Sequence, residues 1–99
     1  MSKQEKQQLS RAVAEKHGVV PFITIFRNDA YVDFWLHDDS AMCFDLAVDN
    51  EINLAMDEDA VSANKFGKVK LLSFEYYKDH ATKQEATRIA ILKALLAKE

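Results

Sequence analysis

Apolar positions recur along the chain with two different periods, and the switch between them divides it into helices and strands. Over residues 3–17, Leu9, Ala12 and Val13 form a narrow stripe at helical spacing. Ser2 and Glu5 precede it as a capping box, in which hydroxyl and carboxylate each take a backbone N–H that the first turn leaves free, and Gly18 supplies a stop. Residues 19–26 are almost all apolar and β-branched or aromatic, as in a strand covered on both faces. Asn28-Asp29 suits a tight hairpin turn. Residues 31–37 then alternate, which predicts Val32, Phe34 and Leu36 toward the core and Tyr31, Asp33, Trp35 and His37 on the other side. After a turn at Asp38-Asp39-Ser40, Met42, Phe44, Leu46 and Val48 alternate with Cys43, Asp45 and Ala47 and predict a third strand. Residues 49–67 are less regular, and Asp57 is placed to cap a short helix that runs through Asn64 and ends at Gly67. A last strand over 69–78 carries Leu72, Phe74 and Tyr76 on one face, with Leu71, Ser73, Glu75 and Tyr77 on the other. Thr82 with Glu85 forms a second capping box, opening a helix with one stripe of Ile89, Leu92 and Leu96 and another of Ile91 and Leu95. The expected fold is α+β: an antiparallel sheet of about four strands flanked by N- and C-terminal helices, in the order α-β-β-β-(α)-β-α, as one domain over residues 1–99.

Composition adds the cellular setting. A chain of 99 residues with 48% apolar content sustains one modest core without metal or disulfides. Cys43 has no second cysteine to pair with, which suits a reducing cytoplasm. No apolar run approaches the ~20 residues that span a bilayer, and the polar opening MSKQEKQQLS lacks a signal-peptide core. A cytoplasmic protein without a membrane partner is expected.

Charge is distributed unevenly. The net charge is −3, yet no Lys or Arg lies between Arg27 and Lys65, and that stretch holds Asp29, Asp33, Asp38, Asp39, Asp45, Asp49, Glu51, Asp57, Glu58 and Asp59. All the basic residues lie in the flanks. Such an acidic segment is either a solvated surface or one that docks on a basic partner, in the manner of a nucleic-acid mimic.

Candidate chemistry is sparse. Cys43, His37 and Asp45 are the residues that would supply a nucleophile, a base and an orienting group on neighbouring strands. No local motif accompanies them, and no catalytic residue is assigned. Asp57-Glu58-Asp59 and Asp49-Asn50-Glu51 offer oxygen ligands but lack the glycine and spacing of a calcium loop. His37 beside Asp38 and Asp39, and His80 beside Asp79, read as turn or cap elements. Gly18 and Gly67 stand alone, so no phosphate-cradling loop is present. No cofactor or metal is expected.

Segment 80–96, HATKQEATRIAILKALL, resembles the closing helix of small phage and prophage ABA-sandwich proteins, a Thr-capped helix with alanines at the positions of Ala86, Ala90 and Ala94. Residues 9–16, LSRAVAEK, have a similar look. That resemblance implies a mobile-element origin and no known catalytic site. The same helix is similar to the second helix of double-stranded-RNA-binding domains, with Lys83 matching a phosphate-binding lysine and Gln84 and Thr87 standing where further lysines belong.

The expected function is therefore a non-enzymatic interaction protein, phage or mobile-element encoded, that binds a host protein with a basic surface. Its contact would comprise Tyr31, Asp33, Trp35, His37 and Tyr77, joined by Asp57, Glu58 and Asp59. The alternative is a nucleic-acid module using Lys83, Arg88 and Lys93 with Lys68 and Lys70, which the acidic middle would oppose. A self-associating form would use Ile91 and Leu95 as a homodimer seam.

Overall fold

The computed structural model describes residues 1–97. They form α1 (Lys3–His17), β1 (Phe22–Arg27), β2 (Ala30–Trp35), α2 (Ser40–Asp49), β3 (Ile52–Met56), β4 (Ala60–Lys65), β5 (Leu71–Tyr76) and α3 (Lys83–Leu96), with 3-10 turns at Leu36–Asp38 and Tyr77–Asp79. The α+β class with terminal helices is as expected. The strands, however, form two antiparallel sheets, a β1-β2 pair and a β3-β4-β5 triplet, rather than one sheet of four.

Two local expectations are corrected. Residues 42–48 are helical, part of α2, because Asp39 accepts the Met42 N–H at 3.0 Å and starts a helix there. Met42, Cys43, Leu46 and Ala47 then lie inward at helical spacing, while Phe44 and Val48, assigned to the same strand face as Leu46, are both 60% exposed. Residues 57–64 are not a helix. Asp57-Glu58-Asp59 make a turn, with the Asp57 N–H bonded to the Ala60 carbonyl at 2.8 Å, and Ala60–Lys65 is the central strand of the triplet.

Helix α3 organises the molecule. Its Ile89, Ile91, Leu92 and Leu95 meet Leu9 and Val13 of α1, Leu36, and Cys43, Leu46 and Ala47 of α2 in the main core. Its opposite side, at Ala86 and Ala90, meets Val61 of β4. Both apolar stripes are thus internal, and Ile91 and Leu95 are buried within their own chain, each only 3% exposed, rather than presented to a dimer mate. The alanines allow close approach: Ser73 of β5 donates to the Ala90 carbonyl at 2.6 Å.

Three of the expected caps and turns are present as read. The Ser2–Glu5 box closes in both directions, Gly18 ends α1 in the left-handed region at φ 69°, and Asn28 and Asp29 both adopt positive φ, as a two-residue hairpin turn requires. At the start of α3 only half of the box forms. Thr82 accepts the Glu85 N–H at 3.0 Å, while the Glu85 carboxylate turns to Lys6 of α1.

Candidate functional site

The β1–β2 ribbon is the least supported part of the fold. Beyond its base it packs on no other helix or strand to more than a marginal extent. At the base the Leu36 N–H bonds to the Pro21 carbonyl at 2.8 Å. There the Trp35 ring lies 4.7 Å from that of Phe22 and 6.0 Å from that of His37, with the Arg11 guanidinium 5.2 Å over it.

The register gives the ribbon two dissimilar faces. One is a ladder of cross-strand pairs: Phe22 with Trp35, Thr24 with Asp33 through a 2.9 Å hydrogen bond, and Phe26 with Tyr31 at 5.1 Å between rings. The other carries Ile23, Ile25, Ala30, Val32 and Phe34, with Arg27 as its one charge. Ile23, Phe26, Tyr31, Val32 and Phe34 are all exposed, Tyr31 to 77%. Val32 and Phe34, expected to face a core, have none to face because the ribbon stands away from the triplet.

The expected contact residues fall into two groups. Asp33, Trp35 and His37 line one cleft of about 540 Å³ between β2 and the first turns of α1, where Lys3, Lys6 and Asp38 join them. Tyr31 lies on the same ribbon face as Asp33 and Trp35, nearer the tip. Glu58, Asp59 and Tyr77 line a separate cleft of about 400 Å³ with Tyr76, Lys78 and Lys83. Asp57 closes the same acidic turn, and the Tyr77 N–H bonds to the Asp59 carbonyl at 2.9 Å. Glu75, expected on the same strand face as Tyr77, turns beneath α3 to pair with Lys93 and His80 at 3.1 and 3.0 Å.

Within the first group, His37 is buried and anchored by Ser10, a residue that the hydrophobic pattern does not single out. The Ser10 hydroxyl accepts the His37 N–H at 3.0 Å and lies 2.8 Å from the ring Nδ1. Nε2 faces the Asp38 carboxylate at 3.4 Å. Burial holds the imidazole below its ordinary pKa of 6.5, with Asp38 and Glu85 opposing and Lys6 and Arg88 reinforcing the shift. With the serine proton directed to Nδ1, the neutral ring keeps its own proton on Nε2 toward Asp38. A serine, a histidine and an aspartate thus lie in sequence, but Ser10 is fully buried and its oxygen already accepts a backbone N–H. The arrangement ties α1 to the turn after β2. The signal for Ser10 was a polar residue embedded beside the Leu9–Val13 stripe.

The Cys43, His37 and Asp45 grouping does not assemble. Cys43 is fully buried on α2 and donates to the Leu36 carbonyl at 3.2 Å, while Asp45 lies exposed on the same helix. Burial pushes the thiol pKa up to about 12, so it stays protonated and unreactive near neutrality. Among the described residues no group of three His, Cys, Asp or Glu side chains is placed to hold a metal ion.

The basic residues of α3 are engaged internally. Arg88 donates to the His37 carbonyl at 2.8 Å and to the Ser40 hydroxyl at 3.0 Å, Lys93 pairs with Glu75, and Lys83 lies 5.2 Å over the Tyr77 ring. Lys68 and Lys70 border a small cleft with Lys65 and Leu72 at the far end of the sheet. No described helix is long and apolar enough to cross a membrane. Set against family models, curated proteins and solved structures, the chain matches none of them.

Proposed function

We propose that this protein is a non-enzymatic interaction module that binds another protein through its β1–β2 ribbon. The observation that carries this reading is the ribbon's exposure: a two-stranded hairpin, marginal on its own in water, that leaves apolar side chains uncovered on both faces. Exposed apolar surface rimmed by polar groups is the usual mark of a contact. Phe26 and Tyr31 supply large, stiff aromatic anchors, and Asp29 and Asp33 bias the surface toward a basic partner. The turn Asp57-Glu58-Asp59 is a secondary, electrostatic contact.

The test is affinity capture from a lysate of the source organism, comparing the native protein with Ile23→Lys/Val32→Lys, which charges the ribbon's aliphatic face. A protein retained by the native chain and lost on the variant, at an unchanged melting temperature, supports the ribbon as contact. Equal retention rejects it. Reversing Asp57, Glu58 and Asp59 to Lys is expected to reduce the salt-sensitive part of the capture, and unchanged capture would remove that turn from the contact.

A second reading rests on the open face of the triplet, away from α3, where Phe74 and Tyr76 stack edge-on at 4.9 Å and Lys78 lies 5.4 Å over Tyr76. Exposed aromatics beside a lysine suit the bases of a single strand. Nuclease-sensitive material in the captured fraction would favour this reading.

A further inference from the structure

An apolar concavity lies away from the ribbon. A groove of about 670 Å³ runs between α2, the edge strand β3 and the first half of α3. Ile91 and Leu54 form its floor, and Phe44 and Met56, each about 60% exposed, form its rims. Its volume falls within the range of small-molecule sites.

The charge on this groove is of one sign. Lys83 and Arg88 border it and no carboxylate does, although the chain carries a net −3 and both α2 and β3 belong to its acidic segment. Neither cation forms an ion pair among the described residues. Arg88 bonds only neutral oxygens, of His37 and Ser40, and the Glu85 carboxylate lies within electrostatic range of it without forming an ion pair. Lys83 rests against the Tyr77 ring, and on its far side borders the Glu58–Asp59 cleft without pairing to either acid. Lys83 lies in the first turn of α3, where the positive end of the helix adds to its field. An apolar floor bordered by two basic residues and no carboxylate calls for a ligand with an apolar body and one negative group.

We propose that this groove binds an amphiphilic carboxylate, a soluble molecule with an aliphatic chain and a single carboxylate, the chain lying over Leu54 and Ile91 between Phe44 and Met56 and the carboxylate meeting Lys83 at the border of the groove. This site is separate from the ribbon and does not depend on the function proposed for it.

Calorimetric titration of the full chain with decanoate below its micellar concentration tests the site. Decylamine has the same chain with the opposite charge, and acetate has the charge without the chain. Decanoate is expected to bind one to one, with decylamine and acetate at least about tenfold weaker. Lys83→Glu and Phe44→Asp, both at exposed positions, are each expected to weaken decanoate by about tenfold or more while leaving the melting temperature unchanged. Ile23→Lys/Val32→Lys on the ribbon is expected to leave decanoate binding intact. No binding of decanoate, equal binding of decylamine, or an unchanged affinity in Lys83→Glu each overturns the proposal. So does sedimentation with phosphatidylglycerol vesicles in the absence of monomer binding, which would make the groove a membrane contact instead.

Discussion

At the scale of single residues, the most informative is Ser10. Its hydroxyl holds both the backbone and the ring of His37, so one oxygen on α1 fixes the turn that leads out of the ribbon. Ser10→Ala leaves a buried N–H and a buried ring nitrogen unsatisfied and is expected to cost about 2 kcal/mol, read as a lowered urea midpoint. His37 also makes stability depend on pH. Its folded pKa lies below the unfolded value of 6.5, so as pH falls the unfolded chain takes up the proton first. The stabilisation from neutral His37 is therefore present above about pH 6.5 and is lost as pH falls below it. Urea midpoints from about pH 7.5 down to 5.5 should decline in the native protein and decline less in His37→Gln. A parallel decline in the two proteins would assign the effect to another group. Glu85 acts in a lower window. Its hydrogen bond to Lys6 holds its carboxyl below the usual 4.5, so its contribution is lost only as pH drops beneath that value.

At the scale of elements, α2 and β4 show where local pattern and tertiary demand part. Residues 40–49 satisfy both periods: alternation picks out Met42, Phe44, Leu46 and Val48, and helical spacing picks out Met42, Cys43, Leu46 and Ala47. The Asp39 cap and the burial available beneath α3 select the helix. Strand β4, AVSANK, has little β-propensity of its own. It is a strand because two neighbours supply its ladder, and its small residues allow α3 to sit close above it. The matching alanines of α3 impose the same closeness from the other side. Ala90 is fully buried against Val61, and Ala90→Leu is expected to destabilise by about 1–3 kcal/mol through overpacking, whereas the same change at exposed Ala41 should cost far less. Equal thermal shifts at the two positions would show that this interface yields more readily than its packing implies.

At the scale of the whole molecule, stability is concentrated around α3 and thins toward the ribbon. The described residues extend 47 × 30 × 20 Å, with the core formed by the three helices and the triplet beneath α3. Amide hydrogen exchange should therefore be graded: slowest in α3 and β4, and much faster in β1 and β2, whose ladder has solvent on both faces. Exchange in β1 as slow as in β4 would mean that the ribbon is covered in solution. The sequence alone was sufficient for features governed by neighbours in the chain. The Ser2–Glu5 box, the Gly18 stop, the Asn28-Asp29 turn, both terminal helices and the α+β class depend on local hydrogen bonding, backbone sterics and periodicity, all of which can be read within a short window. Tertiary structure alone decided that the strands divide into two sheets, that Ile91 and Leu95 lie inside rather than at a dimer seam, and that Tyr31 and Asp57 belong to different groups. Alternation determines which side chains share a strand face but not what covers that face. Here α3 covers one face of the triplet, and among the described residues no other element packs on the ribbon beyond its base to more than a marginal extent.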